Sequence, residues 1–172
     1  MKDTINFYRQ TNAYGEFSNF YYAPIVIDGL EWPTTEHYFQ AQKFAHLPDS
    51  EYVEMIRVTP QPGSAAKMGR NRSWPLRPDW EGVKDDVMRA CVLQKFLQHP
   101  NLAEVLLSTE NRYLNEHTTN DRYWADGGDG SGKNMLGIIL MEVRDKISNM
   151  TPEEIQEEVA RAHKNPSQDE IV

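Results

Sequence analysis

The sequence predicts a mainly α, α-rich α+β fold, a compact single domain with a few short strands. Three observations carry this reading. The stretch "RPDWEGVKDDVMRACVLQKFLQH" repeats apolar residues at helical spacing, with Val83, Val87 and Cys91 on one side. The stretch "NMLGIILMEVRDKI" is nearly all apolar and long enough for a central helix. Strand signals, by contrast, are confined to short pieces. At 172 residues, 39% hydrophobic and 26% charged, the chain has the size and composition of one core.

Taken in order, "TINFY" is the first strand candidate. "APIVIDGLEW" alternates about Asp28-Gly29, a pair suited to a two-residue hairpin turn. After Pro33 a helix is expected from about Thr35 to Ala45, with Thr34 or Thr35 as its cap. A short helix follows near 49–57. Another is expected in "TPQPGSAAKMGRN", with Gly69 near its end. The long helix comes next, with Asp79 as its expected cap, and then a short helix in "NLAEVLLST". "RYLNEHT" reads as a strand and "DRYWADGGDGSGK" as a loop. The apolar helix then leads to "TPEE", where Thr, Pro and Glu have capping-box spacing. The main domain is expected over residues 1–150, and an acidic C-terminal surface helix and fraying tail over 151–172.

The net charge is −8. Six acids (Glu153, Glu154, Glu157, Glu158, Asp169, Glu170) and two bases (Arg161, Lys164) place half of it in the tail. A broad electrostatic grip on duplex DNA is therefore not expected, whereas a small anionic ligand held locally is compatible with the charge. No apolar run approaches the ~20 residues of a membrane span. No secretory signal is read at the N-terminus, and Cys91 is alone and reads as a core residue. A cytoplasmic protein without a membrane partner is the expectation.

Four stretches hold candidate chemistry. In "WPTTEHYFQAQKF", Glu36, Gln40 and Lys43 fall within about 60° of one another at helical spacing. His37 lies on the opposite side, as a hydrogen-bonded core histidine would. By periodicity alone such a polar stripe most often faces solvent. "GGDGSGKN" approximates a P-loop, but Asn134 stands where a magnesium-binding Ser or Thr is needed. Nearby Trp124 and Asp126 have the character of ligand-contacting groups. "KMGRNRSWPLR" gathers Lys67, Arg70, Arg72 and Arg77 near Trp74 and Trp80, a pattern shared by phosphate sites and solvated surface. "YGEFSNFY" places hydrogen-bonding groups between aromatics. No histidine or cysteine spacing suggests a metal.

These stretches, in this order, resemble the NADAR, or YbiA-like, family. "GEFSNF", "DGLEWPTTEHYFQAQKF", "AAKMGR…W", "DWEGVKDDVMRACVLQKF" and "NEHTTNDRYWADGGDGSGKNMLGIILMEVR" carry the resemblance over about residues 5 to 147. Ala125 stands where the family pattern has glycine. The resemblance implies a catalytic domain of an N-glycosidase acting on ribosyl C–N bonds. Its leading implied substrate is ADP-ribose on guanine, with nucleic acid only as the modified substrate. The alternative is a phosphorylated ribosylaminopyrimidine intermediate of riboflavin synthesis. A non-catalytic ADP-ribose or nucleotide reader is the competing class. No cofactor and no metal are implied.

Breaking such a bond builds positive charge at C1, which a carboxylate stabilises. Glu36 is the expected carboxylate. Lys43 is open between a nucleophile forming a Schiff base and an electrostatic partner. Glu36 tends to keep Lys43 protonated, and burial or nearby arginines oppose this. From its place between Glu36 and Lys43 on the helix face, Gln40 is expected to hydrogen-bond in the middle. By motif, the resemblance implies that Gly15, Glu16 and Asn19 contact sugar or pyrophosphate. Arg70 pairs with phosphate, Trp80 and Trp124 wall the cleft, and Asp126 and Asn134 bond hydroxyls. Glu116 is a further carboxylate at the site.

Overall fold

Among the described residues, four short strands, a 3-10 turn at Gly15–Phe17 and six further α-helices accompany the long helix α4. The description comes from a computed structural model and covers residues 3–166; Asp169 and Glu170 lie outside the described residues. The elements are β1 (Thr4–Phe7), β2 (Ile25–Ile27), β3 (Leu30–Trp32), α1 (Thr35–Gln42), α2 (Glu51–Val58), α3 (Pro62–Gly69), α4 (Trp80–Gln98), α5 (Pro100–Ser108), β4 (Tyr113–Glu116), α6 (Met135–Ser148) and α7 (Pro152–His163). The helix-rich reading holds, and each expected helix is present.

Local chemistry explains most boundaries. Thr34 caps α1, its side chain accepting from the His37 amide at 3.2 Å. The helix ends at Gln42, short of Ala45, because Phe44 N–H turns back to the Ala41 carbonyl at 3.0 Å in a tighter turn. The β2–β3 hairpin turns on Asp28 and Gly29 at φ 53° and 76°, the left-handed pair that a type I′ turn requires. Asp79 occupies the cap position of α4, but its side chain makes no capping bond. Its carboxylate instead receives Arg77 at 2.7 Å, a charge-assisted partner that outcompetes a neutral amide.

The core joins α4 and α6 through Met88, Val92, Phe96, Leu136, Ile139 and Leu140. Cys91 is fully buried there. Burial pushes its thiol up to about 12, so it is an inert core group. β1 pairs with β4 in parallel, Thr4 opposite Tyr113 and Phe7 opposite Glu116. The segments that follow the two strands, from residue 8 and from residue 117, therefore leave the same edge of the fold.

α7 opens with the expected capping box between Thr151 and Glu154. It is more than a surface helix: it docks on α4 and β2, Ala162 is buried, and the Ala162 carbonyl accepts from Gly29 N–H at 3.0 Å. Ile155, Val159 and Ala162 form the inward stripe. Thr151→Ala removes one side of the capping box. It is expected to cost about 1 kcal/mol, which for a chain of this size lowers the melting temperature by about 2–4 °C. A thermal unfolding curve checks this.

Candidate active site

α1 is buried on all sides, so its polar stripe does not face open water. His37 occupies one side, fully buried between the Thr34 hydroxyl at Nδ1 (2.8 Å) and the Thr59 carbonyl at Nε2 (2.8 Å). Burial lowers its pKa although the Thr59 bond opposes this, which keeps it a neutral structural group. On the other side Glu36, Gln40 and Lys43 are 9%, 6% and 7% exposed. They form the floor of an open cavity of about 700 Å³.

The cavity walls come from chain segments far apart in sequence. Tyr8 to Thr11 follow β1, and Glu116, Asn120 and Asp121 lie at the end of β4 and in the loop after it. The Ser18–Phe20 turn, Arg70 after α3, Met88 on α4 and Trp124 complete it. The turn is tied to the start of α1: the Thr35 hydroxyl donates to Asn19 Oδ1 at 2.8 Å and the Glu36 amide to the Asn19 carbonyl at 3.2 Å.

The floor is electrostatically polarised. Gln40 Nε2 donates to Glu36 Oε1 at 2.7 Å. Burial raises the Glu36 pKa, while Gln40, Lys43 and Arg70 favour its ionised form. Lys43 Nζ donates to the Gly69 carbonyl at 3.2 Å. Burial lowers its pKa to about 8; Glu36 pulls the other way, and Arg72 and Arg70 reinforce the depression. The opposition between glutamate and lysine thus resolves toward an amine that is partly free near neutral pH.

The structure brings together Glu36, Lys43, Asn19, Gln40, Arg70, Glu116 and Trp124. Other expected contact residues are committed elsewhere. Both carboxylate oxygens of Asp126 hold its own loop, accepting from Asn115 Nδ2 (2.9 Å), His117 Nδ1 (2.7 Å), Gly128 N–H (2.8 Å) and Thr118 N–H (3.2 Å). Burial opposes its charge, but these donors hold its carboxyl well below the usual carboxylate range. Asn134 begins α6 in the left-handed region (φ 52°). Its side chain bridges to β4, accepting from Glu116 N–H at 2.9 Å and donating to the Leu114 carbonyl at 2.9 Å. Trp80 packs behind the floor, its ring 5.0 Å from that of Phe39. Gly15 is buried in its turn, where a Cβ would meet the Gln10 carbonyl at 2.2 Å, and Glu16 is not among the cavity-lining residues.

Of the basic cluster, Arg77 is neutralised by Asp79 and Trp74 is packed against Tyr52 and Phe44. Among the described residues Lys67, Arg70 and Arg72 have no acidic partner. Tyr8, Arg9 and Asp121 are cavity residues that the sequence reading did not single out. Only the pairing of strands 109 residues apart in sequence (Thr4 with Tyr113) brings them in, although Asp121 does sit inside the conspicuous "NDRYW" stretch. Ala125 is fully buried, so its methyl group is taken up by the core beneath the loop.

A helical domain that buries a glutamate and a lysine on the floor of one open cavity has the groups of an active site. The chain belongs to the NADAR domain family, whose profile matches residues 6–148. It is 55% identical over 149 residues to a Shigella flexneri protein named N-glycosidase YbiA, covering 86% of this chain and 91% of that one. The NMR structure of the E. coli protein YbiA superimposes with a TM-score of 0.78 at 53% identity, covering 86% of each chain. At 40% identity, 88% of this chain matches 41% of a longer Vibrio vulnificus protein named as a riboflavin biosynthesis protein.

Proposed function

We propose that the protein hydrolyses a ribosyl C1–N bond, and that its leading substrate is ADP-ribose joined to guanine in nucleic acid. The carrying observation is that buried Glu36 and Lys43 lie on one cavity floor, which exposed Arg70 also lines. Glu36, whose ionised form Gln40, Lys43 and Arg70 favour against the burial that raises its pKa, stabilises positive charge at C1 or activates water there. Lys43, depressed to about 8, supplies an amine that captures the ring-opened C1 as a Schiff base, which water then releases. Arg70 lines the cavity, and Lys67 and Arg72 close to it in the chain likewise have no acidic ion-pair partner among the described residues. Together they offer more positive charge than one ribose phosphate needs, which favours a pyrophosphate or a flanking strand. The names of the YbiA relatives support the bond type.

A second reading has its own support. The Vibrio relative's name favours a phosphorylated ribosylaminopyrimidine of riboflavin synthesis as the substrate. A binding module without turnover is disfavoured, because a reader gains nothing from burying an acid and an amine at some cost to stability. Incubation with ADP-ribosylated guanine DNA and, separately, with the riboflavin intermediates, followed by mass spectrometry, orders these readings. Release of guanine-linked ADP-ribose is expected. Release from the pyrimidine alone reverses the substrate order, and tight binding without product supports the reader.

A further inference from the structure

Departure of a nucleobase needs more than charge stabilisation at C1. The electron pair of the C1–N bond leaves on nitrogen, and a neutral base departs readily only if that nitrogen is protonated as the bond breaks. Resting on the N-glycosidase reading above, we propose that Glu116 is the acid that protonates the departing nitrogen, so that two carboxyl groups lining the cavity divide into a base, Glu36, and an acid, the half-buried Glu116.

The geometry assigns the roles unequally. Both carboxyl groups line the cavity. Burial raises the Glu36 pKa, but Gln40 donates to it and Lys43 and Arg70 lie nearby, all three favouring the carboxylate. Among the described residues no hydrogen bond is donated to the Glu116 carboxyl group, and the groups acting on it are the acids Asp121, Glu36 and Asp126. Arg9 lines the same cavity from the segment after β1, and Asn134, which reaches Glu116 from α6, is neutral. Burial first, then those three acids, push Glu116 up to about 8, which favours its protonated form near neutral pH. Burial raises Glu36 as well, so what distinguishes the two carboxyl groups is their partners. An amide donor and two cations act on Glu36, whereas acids act on Glu116, an unequal setting of the kind that separates a base from an acid. Glu116 is also rigidly placed: its amide donates to Asn134 Oδ1 at 2.9 Å and its carbonyl accepts from Asp126 N–H at 2.9 Å. The end of β4 therefore holds it at the same cavity that Glu36 lines from α1.

The step balances. The C1–N bond breaks, nitrogen takes the electron pair and the Glu116 proton, and C1 takes the oxygen of water or the Lys43 amine. On hydrolysis a water proton returns to Glu116, so the net change is hydrogen to the base and hydroxyl to C1.

The test compares wild type with Glu116→Gln on two ribosides: the ordinary neutral base, and the same base N-methylated to a cation, which departs neutral without a proton. The amide matches the neutral acid in size and charge, so the fold is expected to be retained. Glu116→Gln is expected to lose about 10²–10⁴-fold in kcat/KM on the ordinary base and less than about 10-fold on the cationic one. The wild-type rate on the ordinary base falls above about pH 8 as Glu116 loses its proton, and the variant lacks that limb. Glu116→Asp, which keeps an acid, restores the limb and part of the rate. Equal losses on both bases, or an unchanged alkaline limb in Glu116→Gln, overturn the proposal. Where the cationic riboside is not turned over, the pH profile decides alone. A wild-type protein that cleaves neither riboside sinks the N-glycosidase reading itself, a separate result.

Discussion

Glu36→Gln is expected to reduce kcat/KM for riboside hydrolysis by about 10²–10⁴-fold while ligand binding persists. Glutamine keeps the shape and can still accept from Gln40 Nε2, which now donates to Glu36 Oε1 at 2.7 Å. It cannot carry the negative charge that the developing positive charge at C1 requires. Because a buried carboxylate is costly, the melting temperature is expected to stay level or rise. Loss of activity with loss of fold would leave Glu36 a structural residue, and turnover near wild type would remove it from the chemistry. Lys43→Ala belongs to the same experiment and is expected to be inactive. Borohydride added during turnover should trap a reduced sugar adduct on Lys43 in the wild type. Its absence, with hydrolysis proceeding, points to direct attack by water and leaves Lys43 an electrostatic role. The amine route also predicts a rate that rises with pH toward about 8, because the lowered lysine pKa frees the nucleophile only as pH climbs through it.

Gly137→Ala is expected to give the largest loss of stability. Gly137 lies in the first turn of α6, where the helix crosses β4 closely. A Cβ there would lie 2.2 Å from the Leu114 carbonyl oxygen and 2.4–2.5 Å from the Asn134 side-chain amide. The carbonyl belongs to the β4 backbone and cannot rotate away, so the helix must move. Overpacking of this kind costs about 3 kcal/mol, at the upper end of the usual range, or about 6–12 °C in melting temperature. The displaced Asn134 amide is the group that receives Glu116 N–H and donates to the Leu114 carbonyl. Activity should therefore fall further than the folded fraction alone explains. A melting curve within a few degrees of wild type would show that α6 and β4 can part without cost.

Much of the fold was legible because its signals are local. The Asp28-Gly29 turn, the Thr34 cap and the Thr151–Glu154 capping box each act within four residues, and each stands as read. Helical spacing turned Val83, Val87 and Cys91 inward for the same reason, since a helix repeats its face every 3.6 residues; Cys91 is fully buried and the two valines are partly buried against the core. Docking of α7 was less visible: its inward stripe is short and weakly apolar, and the acids beside it read as surface.

The site divides along the same line. The sequence by itself determined the candidate groups on α1, since Glu36, Gln40 and Lys43 share one helix face whatever packs around it. It also carried the family, through several separate motifs. Only the tertiary structure decided whether that face met water or a cavity, because burial depends on what the rest of the chain lays over it. The parallel pairing of β1 with β4 brought Tyr8, Arg9, Glu116 and Asp121 to the α1 face. Packing also sent Asp126 and Asn134, polar residues in a glycine-rich loop, into the scaffold, where their hydrogen bonds hold the loop and β4. A polar side chain carries the same chemistry in either setting. Which partners reach it is set by contacts between residues distant in the chain, and these leave no local pattern to read.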